Sequence, residues 1–305
     1  MSTQKNLSVF YKLFSLLSIV RGYNILILVA AQYLAAIFIF SPEKSVKNVV
    51  FDWHFLFLIL ATICVVSAGY IINNFYDAKL DLINRPIKTK VDSLVRQETK
   101  LTLYFILNFA GFAFGYLISP RAALFFAVYI FGIWFYSHKL KKYPFTGLFA
   151  ATVLTVFPFF AVFVYYMNFS KIIFVHALFL FLVIMIRELV KYLENLRGAI
   201  ANDYETFPAV YGEKKTKQLS FFLLILTLFP IVILFNYPSL SYMRYYFYAA
   251  MITLLFVGFY LWKAKTKQQY TVLHNILKIL LLVGVLSLVF IDTSLLVDKV
   301  IDKLN

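Results

Sequence analysis

Charge is scarce in this 305-residue chain. Asp and Glu together number 14, and all charged residues make up 14 %, about half the usual globular share. A soluble protein of this length could not cover its core with so little polar surface. Cysteine is nearly absent too. The single Cys64 lies inside an apolar run and has no partner for an intrachain bridge, so a disulfide scaffold is excluded. No stretch has a disordered-type composition. The first dozen residues are polar and basic, and the apolar run behind them lacks a small-residue cleavage pattern, so no removable leader is expected.

What the chain does have is hydrocarbon. Apolar residues make up 62 %, with 35 Phe, 22 Tyr and 3 Trp, and the mean hydropathy is +0.82. Apolar runs of membrane-spanning length recur, at 24–41, 54–74, 101–119, 121–137, 146–168, 171–188, 218–237, 243–262 and 271–292. Runs of this length without strict alternation mean helices, because lipid leaves no backbone group unsatisfied. The reading is an all-α, polytopic bundle of nine transmembrane helices forming one integral-membrane domain over 1–305. Residues 1–23 precede the first span, and 293–305 form a short amphipathic tail. Ser119-Pro120-Arg121 alone separates the third and fourth spans, a tight reversal at a helix-breaking proline.

Lys and Arg orient the bundle. A cytoplasmic amino terminus places 21 of the 29 basic residues inside and seven outside, with Lys278 within the last span. That is a positive-inside pattern, and it predicts a multi-pass protein of the cell membrane with its carboxyl terminus outside. The net charge of +15 then needs no nucleic acid, since basic loops beside a bilayer are drawn to anionic membrane lipids.

Nine of the acids fall in two segments expected to be cytoplasmic, one after the second span and one after the sixth. This offset of four spans hints at a duplicated unit. In the first segment Asn73, Asp77 and Asp81 recur every four residues, which places them on one helical face. A carboxamide and two carboxylates form a hard-oxygen set suited to Mg²⁺ and the phosphates it bridges. The helix is predicted to stop near Pro86, leaving Arg85, Lys88 and Lys90 in the loop beyond. The bland alternative is a solvated helix end with Asp81 and Arg85 as an i,i+4 pair. The second segment runs from Arg187 through Glu188, Lys191, Glu194 and Asn195 to Asp203 and Glu205.

In this order and topology the chain resembles the UbiA superfamily of intramembrane prenyltransferases. Arg21 with Asn24 resembles the Arg-Pro-x-Asn entry to the first helix, with Gly22 in place of proline. Asn73 to Asp81 resembles the Asn-Asp-x-x-Asp-x-x-x-Asp motif, followed by the basic Asn84-Arg85-Pro86. Tyr136 to Lys141 with Gly147 resembles the Tyr-Ser-x-x-Leu-Lys loop, although Leu148 replaces the usual asparagine. Arg187-Glu188, Thr206-x-Pro208 and Gly212 resemble the frame of the second acidic motif. The resemblance implies a bundle with a lateral opening to lipid and a mouth facing the cytoplasm. There, Mg²⁺ on Asp-rich motifs would hold a polyprenyl diphosphate while a lipid of prenylglycerol-phosphate type, or an aromatic ring, takes the prenyl group. It assigns Asp77, Asp81 and Arg85 to catalysis, and Asn73, Asn74, Arg21, Asn24, Lys141, Arg187 and Lys191 to the diphosphate. The metal would fall to Asp77, Asp81 and Asn73, with Glu188 and Asn195 as further ligands.

The departures are specific. Asn74 stands where the first motif has its leading aspartate. Tyr192, Asn195 and Ala199 stand where the second has three carboxylates. The alternative implied is a catalytically degenerate relative, a membrane subunit or lipid-binding partner of another protein. A transporter fits the span count but not the lack of intramembrane acids along a path. His274 and Lys278, i,i+4 in the last span, are expected to reach for the interface. His54 and His176 near the outer boundary suggest no metal site.

Overall fold

The computed structural model describes residues 2–291, with side chains described from Tyr11 onward except at 238 and 239. The tail read above over 293–305 lies outside the described residues. All regular elements described are helical: α1 (Ser2–Ile19), α2 (Gly22–Ala35), α3 (Val46–Val50), α4 (Trp53–Tyr76), α5 (Ala78–Asn84), α6 (Pro86–Asp92), α7 (Gln97–Ile118), α8 (Pro120–His138), α9 (Pro144–Tyr166), α10 (Lys171–Glu194), α11 (Leu196–Ala201), α12 (Phe207–Phe235), α13 (Arg244–Lys263) and α14 (Lys267–Ser287). Among the described residues, nine helices are long and apolar enough to cross a membrane, and each overlaps one predicted span. The protein is an integral, multi-pass membrane protein.

Local chemistry sets the boundaries. Ser119 is extended, its hydroxyl accepts from the Ala122 N–H at 3.1 Å, and Pro120 opens α8. α10 runs six residues past its predicted end at 188, because Glu188 there is neutralised within the helix. α12 begins eleven residues before its predicted start, with Pro208 in its first turn and a break at Gly212, whose φ is +81°. Pro86 also corrects the sequence reading. It does end α5, but it then initiates α6, so Lys88 and Lys90 stand on a helix rather than in a loop.

Contacts divide the chain into two compact units. The first comprises the described residues within Met1–Val29, Trp53–Lys141 and Arg197–Tyr204. Its centre is α4, flanked by α7 and α8. At Gly111 a Cβ would lie 2.6 Å from a Val65 methyl, so glycine permits the α4–α7 approach. Ile19, Ala68, Ile71, Ile72, Val95 and Tyr104 form a buried core at one end. The outer face of α7 exposes Phe105, Phe109, Phe112 and Tyr116 at helical spacing, a stripe that lipid covers at no cost.

The second unit comprises the described residues within Ala30–Asp52, Lys142–Leu196 and Glu205–Asn305. α10 is its spine, flanked by α9, α12 and α14. A buried amide ties in the end of α2, where Gln32 Nε2 donates to the Pro158 carbonyl at 2.9 Å. This unit holds a half-open cavity of about 260 Å³ lined almost wholly by hydrocarbon, including Phe160, Phe163, Phe179, Tyr246 and Phe247.

Candidate active site

The site of the first unit is built at the end of α4. That helix stops at Tyr76, and Asp77 turns with φ −87° and ψ 3°. The helical ladder nevertheless continues through Asp77 N–H to Asn73 O, Asp81 N–H to Asp77 O and Arg85 N–H to Asp81 O, at 2.9, 2.7 and 2.7 Å. The i,i+4 register of Asn73, Asp77 and Asp81 therefore survives the break. Asn73 Nδ2 donates to Asp77 Oδ2 at 2.7 Å. Lys141, from the turn after α8, donates to Asp77 Oδ1 at 2.6 Å and is itself buried.

Burial pushes the Asp81 carboxyl above the usual carboxylate range, and the nearby Asp77 charge adds to the rise. Arg85, Lys88 and Arg21 oppose it. Arg21 holds a left-handed backbone, with φ +52°, and its guanidinium lies 5.1 Å from the centre of the Tyr70 ring. Asn24, in the first turn of α2, donates its N–H to the Arg21 carbonyl at 2.8 Å. Part of the second acidic segment belongs to this unit. The Gly198 N–H bonds Asn84 Oδ1 at 3.3 Å, and a Cβ on Gly198 would fall 2.2 Å from Asn84 Nδ2. The segment then delivers Tyr204, whose phenol is pushed up to about 12 by burial first and by Asp77 and Asp81 next.

Asn74 faces elsewhere. Its Nδ2 donates to Asp92 Oδ2 at 2.8 Å, and its Oδ1 accepts from Lys100 at 3.1 Å. Asp92 also accepts from Lys88 at 2.6 Å and from the Ser18 hydroxyl at 3.2 Å. Asp92 and Lys100 are 3 % and 2 % exposed, so the amide bridges a buried anion to a buried cation. Position 74, assigned by resemblance to the diphosphate, is engaged in a network joining α1, α4, α6 and α7.

In the second unit the site residues pair within one helix. Glu188, 2 % exposed, accepts from Arg187 at 3.0 Å and Lys191 at 2.7 Å. Arg187 Nε is buried with no hydrogen-bond partner among the described residues. Asn195 Nδ2 donates to the Lys191 carbonyl at 2.9 Å. His274, expected to reach for the interface, instead donates from Nδ1 to Glu194 at 2.8 Å, and the Thr271 hydroxyl joins the same carboxylate at 3.2 Å.

A divalent cation fits the first unit better than the second. Burial and the neighbouring Asp77 charge raise the cost of ionising Asp81, a cost that a shared cation relieves. The carboxamide of Asn73 is adjacent. Among the described residues no three His, Cys, Asp or Glu side chains gather into a metal cage. The fit is therefore to a Mg²⁺ completed by phosphate and water rather than by protein alone. Glu188, already matched by two cations, has less to offer one.

The model of the UbiA prenyltransferase family matches residues 29–282. This chain belongs to the UbiA prenyltransferase family. Among its relatives, the digeranylgeranylglyceryl phosphate synthase of Methanobrevibacter smithii is 27 % identical over 74 % of this chain and 80 % of its own length. That of Thermococcus gammatolerans is 31 % identical over 55 % of this chain and 59 % of its own length. A solved structure concerned with digeranylgeranylglyceryl phosphate synthase in membranes superposes with a TM-score of 0.69 at 20 % identity, covering 92 % of this chain and 98 % of that one. A UbiA homologue from Archaeoglobus fulgidus bound to geranyl diphosphate (GPP) and Mg²⁺ gives 0.66 at 12 % identity, covering 90 % and 99 %. At these identities the structures share the UbiA fold.

Several residues of this candidate site escaped sequence reasoning. Tyr76 and Tyr204 sit inside quoted motifs but read as spacers. His138 bonds the Tyr76 hydroxyl through Nδ1 at 3.1 Å and stacks on Trp134 at 5.4 Å. Asn84 was read as part of a basic tripeptide, and Gly198 carried no signal. Spacing finds acids that repeat, but it cannot show which aromatic ring lies beside a lysine.

Proposed function

We propose that this chain is an active intramembrane prenyltransferase, moving a polyprenyl group from its diphosphate to a lipid acceptor of the prenylglycerol-phosphate kind. The Asp77–Asp81 pair with Lys141, Arg85 and Arg21 around it carries this reading. Cleavage of the allylic C–O bond sends its electrons to the diphosphate, the acceptor oxygen closes the new bond to carbon, and the acceptor proton leaves to solvent. Mg²⁺ held by Asp77, Asp81 and Asn73 would supply charge neutralisation for the leaving group. Lys141, Arg85 and Arg21 add fixed positive charge at the same end of the bundle. Ser137 Oγ, buried with no hydrogen-bond partner among the described residues, offers the phosphates a further donor. Arg187, with its unpartnered Nε, offers an anion one more, and Lys191 stands beside it. The hydrocarbon cavity of the second unit has the chemistry of an apolar chain. By the distribution of Lys and Arg the mouth faces the cytoplasm of the cell membrane. The relatives' names favour the lipid acceptor over an aromatic ring.

The test is Mg²⁺-dependent turnover of labelled geranylgeranyl diphosphate by purified protein with a prenylglycerol phosphate, and then with aromatic acceptors. Turnover with the lipid supports the reading. A second reading, a silent relative kept as a partner subunit, is favoured by Tyr192, Asn195 and Ala199 in place of three acids. Absence of turnover with every acceptor, and a stoichiometric protein partner on purification, would replace the first reading by the second.

A further inference from the structure

Lys141 is 6 % exposed, and an ammonium so far from water is tolerated only with full compensation. Its compensation comes from three sides. Asp77 Oδ1 accepts at 2.6 Å, and the centres of the Tyr76 and Tyr204 rings lie 5.7 and 5.9 Å from Nζ. Both are within the range of cation–π attraction. Tyr76 is itself fixed by the His138 contact, and His138 by Trp134. Tyr204 arrives with the Arg197–Tyr204 segment, which Gly198 seats on Asn84. Two tyrosines from distant parts of the sequence thus clasp one lysine against the carboxylate that the metal would use.

The consequence is competition. A divalent ion at Asp77 would repel an ammonium sitting on the same carboxylate, so one must yield. A diphosphate resolves the conflict by giving Lys141 other oxygens to pair with. Resting on the prenyl diphosphate reading, we propose that Lys141 is a tethered counter-cation holding the metal's place on Asp77 until a diphosphate arrives, positioned there by Tyr76 and Tyr204. Metal binding is then conditional on diphosphate.

The experiment titrates substrate-free protein in detergent with Mn²⁺, followed by electron paramagnetic resonance, with and without inorganic diphosphate. Wild type binds Mn²⁺ weakly alone and more tightly with diphosphate. Lys141→Met binds Mn²⁺ alone tighter by about tenfold or more, since a unit charge has been lifted from the ligand. Tyr204→Leu shifts the same way by less, and Tyr204→Phe, which keeps the ring, matches wild type. A merely structural tyrosine would weaken metal binding or leave it unchanged, not tighten it. If Lys141→Met does not fold, the Tyr204→Leu and Tyr204→Phe pair decides. Equal Mn²⁺ affinity of wild type and the folded variants without diphosphate, with diphosphate still strengthening binding in all, overturns the counter-cation and leaves the prenyl diphosphate reading in place. No Mn²⁺ binding in any variant under either condition overturns both.

Discussion

The two acidic segments began as similar readings and end as different objects. In the first, Asp77 is paired with a lysine 64 residues away, and its charge lies close enough to disturb Asp81. In the second, Glu188 is paired with its immediate neighbour Arg187 and with Lys191 one turn on, all on α10. A carboxylate matched by its own helix is settled as soon as the helix forms. One matched from a distant element keeps an alternative, because its partner can move. The first arrangement suits exchange with a ligand and the second suits stability.

Asp77→Asn breaks the comparison hardest. Removing a group that organises charge at the leaving diphosphate is expected to lower kcat of the folded fraction about 10²–10³-fold in the turnover assay, while the weakened pairing of buried Lys141 is read separately as a lower Tm. A small effect would mean that the first segment is no more functional than the second. Glu188→Ala should do the reverse, unfolding rather than silencing. It strands Arg187 and Lys191 beside a buried gap, a loss of about 3–5 kcal/mol by the cost of breaking a buried pair, read as a lowered Tm in detergent. An unchanged Tm would remove the stabilising role assigned here to α10.

Asn74→Asp tests whether position 74 can be returned to its familial residue. A carboxylate cannot donate to Asp92 and would repel it inside a buried network. The expected result is a lower Tm, by about 1–3 kcal/mol of lost hydrogen bonding, with no gain in metal affinity. Tighter Mn²⁺ binding would show the position still serves the metal. Gly198→Ala is expected to cost about 1–3 kcal/mol by overpacking against Asn84, recovered in part by adding Asn84→Ala, as a double-mutant cycle would show.

The smallest effect concerns pH. The Asp81 carboxyl titrates above its ordinary value in the metal-free protein. A raised pKa contributes stability that is fully present below the unfolded-state value and is lost as pH rises through the folded-state one. Metal-free wild type should therefore fall behind Asp81→Asn in Tm as pH rises through that interval. A difference in Tm that stays constant with pH would show that burial and Asp77 do not act on Asp81.

How much of this was legible beforehand follows from range. Hydrophobic runs are a local property with a large free energy behind them, so the nine spans and the reversal at Pro120 could be read along the chain. The four-residue spacing of Asn73, Asp77 and Asp81 is equally local, and it survived even a helix break. Proline has two opposite local meanings, end and beginning, which is why Lys88 and Lys90 were misplaced. The fate of Asn74 depended on Asp92 and Lys100, whose closeness to it no periodicity reports.

By itself, then, the chain of residues determined a nine-span helical bundle with most of its acidic groups gathered beyond the second and sixth spans, since burying apolar surface and satisfying backbone in lipid allow little else. Folding in three dimensions decided which distant cation neutralises Asp77. It turned Asn74 into a bridge and brought Tyr76 and Tyr204 around Lys141. Charge pairing depends on distances of a few ångströms between residues remote in sequence, and only packing sets those.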